Sequence, residues 1–429
     1  MFFRVKSLVP SDIFRRFCVN ISGNIAVIFA IACLPILGAV GCAIDYTRAN
    51  NIYAKYSAAA DQAIVSAVNK LAMRGTASDA KASALQMFNA LAGMIGGATL
   101  TGVSVTVTDV GLNRTAVINY TVNMKTDFMG MVGIPNLPIK GSATAQSSLP
   151  TYVDFYLLLD NSPSMGIGAT PTDVATMVNR TPDKCAFACH DISDNNNYYK
   201  LAKSLGVTTR IDVVRTATQS LMDTATAAQT LPNQFRMAIY TFGYSAATAG
   251  LTTIAALSSN LSSAKTSAGN IDLMTVQGPQ QFDDADTNYS RIFPNINLVI
   301  PAPGDGSTSA QPQKVLFFVS DGVADELNWS CSQPILTGNG RCQQPINVSL
   351  CTAIKNRGVK IAVLYTTYLP LPTNDWYNST IAPWAAQIPK NMEACASPGL
   401  YFEVSPTQGI SDAMNALFYR AVASARLTR

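Results

Sequence analysis

From Ile21 to Ile44 the chain reads ISGNIAVIFAIACLPILGAVGCAI, without a charged residue. About 20 apolar residues are enough for a helix to cross a bilayer, so this run must be placed before any globular core is assigned. Arg4, Lys6, Arg15 and Arg16 precede it against one acid, Asp12, and only Arg48 and Lys55 follow closely. That Lys/Arg bias predicts a cytoplasmic N-terminus and an exported remainder. Pro35 falls mid-span, where membrane helices tolerate a kink.

Three other readings compete with an uncleaved anchor. A cleaved signal peptide has an apolar core of ~7–15 residues, and this one is longer. A lipoprotein anchor would acylate Cys42, but Ala39-Val40-Gly41 before it lacks the usual leucine. A prepilin-type leader would be cut after Gly23, yet Ile28 stands where pilins carry glutamate.

An exported remainder changes how the cysteines are read. Cys185, Cys189, Cys331, Cys342, Cys351 and Cys395 lie far beyond the span, and an oxidising compartment pairs an even set. Cys185 and Cys189 enclose three residues, one too many for a redox motif, and the second ligand cluster of a zinc site is missing, so a small structural disulfide is expected. Cys331 and Cys342 flank a Gly-Asn-Gly loop, which suits a local bridge. Cys351 with Cys395 would tie the closing segment. Sequence alone permits 15 pairings of six cysteines, so these are preferences.

The 429 residues allow two or three domains. Hydrophobic residues are 48% and charged ones 13%, ample for a core. The net charge of +4 is spread without a basic run, which gives nucleic-acid binding no electrostatic support. A single histidine, His190, argues against histidine-based catalysis.

Past the span, Tyr56, Ala60, Ile64, Ala67 and Leu71 recur near a 3.6 period, which extends the helix. Ala80 to Ala92 reads as a second helix. Val103, Val105 and Val107, then Ala116, Ile118, Tyr120 and Val122, alternate around a Gly-Leu-Asn turn and predict a hairpin. Phe128, Met129 and Met131 are read as core of this small α+β stalk, with a partner helix as the alternative.

The chemistry begins at Val153. Val153 to Leu159 is an apolar strand that runs directly into Asp160-Asn161-Ser162-Pro163-Ser164. One carboxylate and two alternate hydroxyls at a strand's carboxyl end suit a hard cation such as Mg2+, with Mn2+ or Ca2+ as alternatives. Phe235 to Phe242, Lys314 to Ser320, Lys360 to Tyr365 and Tyr401 to Val404 are further strands. Helices at Arg210 to Gln229 and Ile410 to Ala425 alternate with them. The predicted fold is therefore α/β, a doubly wound, mostly parallel sheet of Rossmann-like kind.

Asp160-x-Ser162-x-Ser164 together with Ser320-Asp321-Gly322 resembles the metal-ion-dependent adhesion site of von Willebrand A domains. The resemblance implies that Ser162 and Ser164 bind the metal directly, that a threonine joins them, and that Asp160 and Asp321 stand behind. Thr287 in Asp283-Asp284-Ala285-Asp286-Thr287 is the candidate threonine, with Thr252 or Thr253 competing and a helix N-cap as its plainer role. A partner's carboxylate would fill the open position. Asp283, Asp284 and Asp286 read as a solvated loop, or as a second cation site.

Gly23-Asn24-Ile25-Ala26-Val27-Ile28-Phe29-Ala30, Gly38-Ala39-Val40-Gly41 and Ala43-Ile44-Asp45-Tyr46-Thr47-Arg48 resemble the N-terminus of TadG-like proteins of the tight-adherence (Flp) pilus system. Met392 to Pro398 followed by Tyr401-Phe402 is similar to that family's last strand region. The resemblance implies residues 1–20 as a cytoplasmic N-terminus, 21–44 as the membrane helix and 45–149 as the stalk. Residues 150–429 would form the A-type domain, with inserts at about 166–208 and 328–347. It implies a non-enzymatic assembly or adhesion protein of the bacterial inner membrane, its last domain periplasmic and gripping a protein partner. The rivals are a minor-pilin-like subunit without metal and a metal-dependent hydrolase, which would want more clustered carboxylates.

Overall fold

The computed structural model describes residues 24–69, 71–110, 113–188, 190–195, 197–277, 286–368, 370–371, 374–404 and 409–426. The residues before Asn24, and with them the charge bias and any processing site, lie outside these. The chain forms two compact units, Met1–Ser147 and Ser148–Arg429.

In the first unit one long helix, α1 (Asn24–Ala67), contains Pro35. Among the described residues it is the helix apolar and long enough to cross a membrane, and only 6% of its apolar window is buried. It fits a single-pass membrane anchor. Its later half buries Ala49, Ile52, Tyr56, Ala60, Ile64 and Ala67, a stripe at helical spacing, whereas Leu71 lies beyond its end and is exposed. The small residues allow close approach of α2 (Ala77–Ala92), which buries Ala80, Ala84, Phe88 and Ala92. Thr76 and Asp79 form a capping box at the start of α2, so the chain can restart a helix after Gly75.

Three antiparallel strands follow: β1 (Thr99–Val110), β2 (Asn113–Lys125) and β3 (Asn136–Ser148). Strand β2 buries Ala116, Ile118, Tyr120, Val122 and Met124, every second residue, against the helices. Gly141 of β3 leaves room for Tyr120, since a Cβ there would meet its hydroxyl at 2.2 Å. The expected core role of Phe128, Met129 and Met131 is corrected: Phe128 and Met131 are exposed, on the loop between β2 and β3.

The second unit begins with β4 (Val153–Leu159). In chain order follow α3 (Pro171–Arg180), the short β5 (His190–Asp191), α4 (Tyr198–Ser204), α5 (Arg210–Ala228), β6 (Phe235–Thr241), β7 (Thr252–Ser258) and α6 (Leu261–Ala268). Then come the short β8 (Thr275–Val276), α7 (Tyr289–Val299), β9 (Gln313–Ser320), β10 (Val323–Leu327), β11 (Arg341–Pro345) and α8 (Val348–Lys355). The chain closes with β12 (Lys360–Thr366), α9 (Ile388–Cys395), β13 (Tyr401–Val404) and α10 (Ile410–Arg426). The main sheet runs β13-β12-β9-β4-β6-β7, parallel except for the edge strand β7.

Both faces of the sheet are covered, and this is why β4 and β9 are buried at every position and mostly apolar. Phe155, Leu157 and Leu159 point into one core with residues of α5, α6 and α10. Tyr156 and Leu158 point into the other with residues of α7, α8 and α9. The segment between β4 and α5 is folded rather than loose, and it adds Met177, Ala188 and Tyr199 to the first core.

Polar residues also fix the sheet at its amino edge. Asp154, buried in β4, accepts two hydrogen bonds of 2.7 Å from Arg236 and one of 2.5 Å from Lys314, which is itself buried. Asp154→Ala should cost about 3–5 kcal/mol, because it strands the Lys314 ammonium inside the protein. Urea unfolding followed by tryptophan fluorescence checks this. Trp329, Trp376 and Trp384 all lie in the second unit.

Two disulfides join Cys331 to Cys342 and Cys351 to Cys395. The expected Cys185–Cys189 bridge lies partly outside the described residues. Cys185 is a free thiol whose sulfur accepts the Phe187 amide at 3.4 Å, and Cys189 lies outside the described residues. Phe187 bridges Ile167, and the Ala188 amide donates to Gly166.

Candidate metal centre

The register of the sheet builds the site. Leu159 of β4 lies opposite Val319 of β9, so the two strands end side by side at the carboxyl edge. The next residues are Asp160 on one strand, and Ser320 and Asp321 on the other. This edge is where open α/β sheets hold ligands.

Asp160 organises the turn that follows it. Its Oδ1 accepts the Ser162 amide at 2.9 Å and the Ser162 hydroxyl at 2.6 Å. Its Oδ2 accepts the Ser320 hydroxyl at 2.5 Å. The Ser162 and Ser164 hydroxyl oxygens are 3.1 Å apart. Asn161 points away, donating to the Gly243 and Asp272 carbonyls and accepting from the Phe242 amide, and this pins the loop to the end of β6. Ser162 is buried, and Ser164 beside it is half-buried.

Asp321 is the second buried carboxylate. Its Oδ1 accepts the Val323 amide at 3.2 Å, whereas Oδ2 is buried without a hydrogen-bond partner. Gly322 has a φ of +78°, and a Cβ there would meet Ile388 and Met392 at 2.8 Å, so glycine is required for Asp321 to turn into the site under α9. Burial, then repulsion from Asp321, pushes the Asp160 carboxyl up to about 7. Burial also raises Asp321, against a hydrogen bond from Ser164 and the charge of Arg210. Two buried acids short of countercharge, one orphaned carboxylate oxygen and two adjacent hydroxyls form a donor set that fits a hard divalent cation. Among the described residues no three His, Cys, Asp or Glu side chains cluster as an alternative metal site.

Arg210 and Tyr289, which local sequence patterns do not mark, complete the site with Ser320 of the Ser320-Asp321-Gly322 motif. Arg210, the first residue of α5, is buried and donates to the Thr367 carbonyl at 2.9 Å. Its charge acts on both carboxylates. Tyr289 places its hydroxyl 2.6 Å from that of Ser320, and burial raises it well above its ordinary value. Ser320 receives the Gly322 amide at 3.0 Å while holding Asp160. Each depends on contacts between distant segments. Only the apolar helix face carrying Arg210 hinted that a charge would be buried there.

Thr287 is buried and sits two residues before Tyr289. Its amide and carbonyl pair with those of Asp325 at 3.0 and 3.1 Å, which brings it to the β10 hairpin that Asp321 opens. It does not cap α7; Asn288 does, accepting the Arg291 amide. Thr252 and Thr253 begin the edge strand β7. Asp283 and Asp284 lie outside the described residues, and Asp286 faces Arg341 at 3.9 Å. The hairpin is stiff: Arg341 holds Asp325 at 2.7 and 2.5 Å, and Cys342 carries one disulfide. A recess of about 300 Å³ opens beside Asn161, between His190, Tyr244 and Asp272.

Residues 23–73 match the family model described as "Putative Flp pilus-assembly TadE/G-like". No curated protein matches the chain. Among solved structures it is similar to the vWF domain of the type V pili tip protein Mfa5 from Porphyromonas gingivalis. That pair shares 9% identity at a TM-score of 0.36, over 64% of this chain and 97% of the other. It is also similar to the PilB minor pilin from Streptococcus sanguinis, with 11% identity, a TM-score of 0.34, and 77% and 78% covered. A third is proximal thread matrix protein 1 from the mussel byssus, with a zinc-occupied MIDAS motif, at 12% identity and a TM-score of 0.33. There the match covers 64% of this chain but 46% of the mussel protein, less than half its length. Residues 23–73 thus resemble a TadE/G-like Flp pilus-assembly segment, and a mainly parallel α/β domain follows them.

Proposed function

We propose that this protein is a membrane-anchored binding component of Flp pilus assembly or surface attachment. Its second unit grips an acidic side chain of a partner protein through a divalent cation. The observation that carries the reading is the pair of buried carboxylates beside two hydroxyls 3.1 Å apart. Ser162, Ser164 and Thr287 would hold Mg2+, or Mn2+ or Ca2+, with Asp160 and Asp321 supplying the negative charge. The bound ion would offer an open position to a carboxylate. Hydroxyl donors leave the ion electron-poor, which strengthens its pull on an anionic oxygen, and the site offers no evident general base beyond its carboxylates. The reading is thus of a binder rather than an enzyme. The Lys/Arg asymmetry supports a cytoplasmic N-terminus and a periplasmic second unit, and the two disulfides agree with an oxidising compartment.

Cross-linking in cells tests this. The native chain should yield a cross-linked protein partner that Ser162→Ala and chelator each remove. A partner captured equally by both chains, with and without chelator, would contradict the proposed grip.

A further inference from the structure

The first unit carries a second apolar surface, at the point where α1 leaves its uncharged run. The loop from Phe128 to Ile134 packs there. Gly41 of α1 is buried beneath it, and a Cβ on Gly41 would meet Phe128 carbons at 2.5 and 2.7 Å. One helical turn later, the buried Asp45 accepts the amides of Asp127, Phe128 and Met129 at 3.1, 2.8 and 2.8 Å. Arg48 donates to the same carboxylate at 3.1 Å. Thr126 closes the loop's base, its hydroxyl donating to the Ile134 carbonyl at 2.6 Å. The loop is therefore fixed to the helix at one level by backbone groups, whatever its own side chains do.

Those side chains face outward. Met131 is 82% and Val132 61% exposed, and Phe128 and Ile134 are also exposed. No charged residue occurs from Phe128 to Ile139. The opposite end of the same hairpin is polar and tied down. There Arg114 is buried between Asp109 and the carbonyls of Ala72 and Gly75. Gly41 lies four residues before Asp45, roughly 6 Å deeper along the helix axis. Apolar groups at a membrane surface sink about 5–10 Å into the boundary between headgroups and acyl chains. Tyr46, exposed beside Asp45, is the residue type that marks this boundary.

We propose that the loop Phe128–Ile134 inserts into the headgroup–acyl boundary beside α1, as a second membrane contact of the first unit. Asp45 is its positioning residue, capping the helical turn Met129–Val132. The inference rests on the reading of α1 as a membrane anchor, and the experiment separates the two.

The full chain, carrying Cys18→Ser, Cys33→Ser, Cys42→Ser, Cys185→Ser and Cys189→Ser, is given one added cysteine and a nitrobenzoxadiazole label. It is reconstituted into vesicles of phosphatidylethanolamine and phosphatidylglycerol, with or without lipids bearing nitroxide on the upper acyl chain. Leu34→Cys reports the anchor, Met131→Cys and Val132→Cys the loop, and Val110→Cys the distant end. Quenching at 131 and 132 within about twofold of that at 34, with none at 110, is expected for an inserted loop. Adding Asp45→Ala should then cut quenching at 131 by at least about half, with that at 34 unchanged. Quenching at 34 but not at 131 or 132 would overturn the insertion while leaving the anchor. A blue-shifted but unquenched label at 131 would likewise overturn it, in favour of a protein neighbour. No quenching at 34 would remove the anchor and this inference with it.

Discussion

Without divalent metal, the second unit should lose stability as pH rises from about 4 to about 7, and Asp160→Asn should remove that loss. Burial and the neighbouring Asp321 raise the Asp160 carboxyl from its ordinary 3.8 to about 7. Between those values the native state binds a proton that the unfolded chain releases, so stability falls with rising pH. It is fully present below about 3.8 and gone above about 7. At about 1.4 kcal/mol per pH unit, the loss is on the order of 4 kcal/mol. Asparagine keeps an acceptor for Ser162 and carries no charge, so the variant should match the native chain near pH 4 and exceed it near pH 8. The difference between their urea midpoints in chelator, read by tryptophan fluorescence at both pH values, isolates this group. It excludes carboxylates such as Asp212, whose hydrogen bonds from Thr209 and Arg215 hold it below the usual range despite burial and give the opposite slope. A gap independent of pH would mean the acids are not short of countercharge.

Removing the disulfide between Cys351 and Cys395 should be the more damaging of the two cysteine deletions. It links α8 to α9 across a sequence separation of 44, whereas the bridge from Cys331 to Cys342 spans 11. Loop-closure entropy gives about 4 kcal/mol for the longer and about 3 for the shorter. Both Cys351 and Cys395 are buried in the core beneath the sheet, so alanine also leaves a void there. The double variant Cys351→Ala/Cys395→Ala should melt on the order of 10 °C below the native chain. Cys331→Ala/Cys342→Ala should fall by less. The reverse order in thermal melts would show that the bridge of the β10 hairpin carries more of the fold than its loop length implies.

The parts of this molecule that were legible in its sequence share one property: their cause is local. Strands β4 and β9 are buried on both faces, so they read as mostly apolar runs. Asp160, Ser162, Ser164 and Asp321 sit in two short motifs at strand ends. The edge strand β7 was not legible, because one open side lets it be TTIAALS, with Thr252, Ile254, Leu257 and Ser258 only half-buried. Strand β3 starts at Asn136 with a proline two residues on and carries Gly141, a pattern that also suits a loop. Arg210, Tyr289 and Ser320 reach Asp160 and Asp321 only through the folded sheet. The loop at Phe128 was misjudged for a related reason: an apolar side chain looks the same in sequence whether protein or lipid would cover it.

Metal-dependent melting of the full chain tests the central claim most directly. In the presence of Mg2+ at about a hundredfold excess over its dissociation constant, binding should add ~2.7 kcal/mol. That raises the second unit's melting temperature by several degrees, more near pH 8 than near pH 5, because the carboxylates must be ionised to bind. Ser162→Ala/Ser164→Ala should melt near the native temperature in chelator and show no rise with Mg2+, Mn2+ or Ca2+. An equal rise in the native and the double-alanine chains, or no rise in either, would contradict a cation held at this edge.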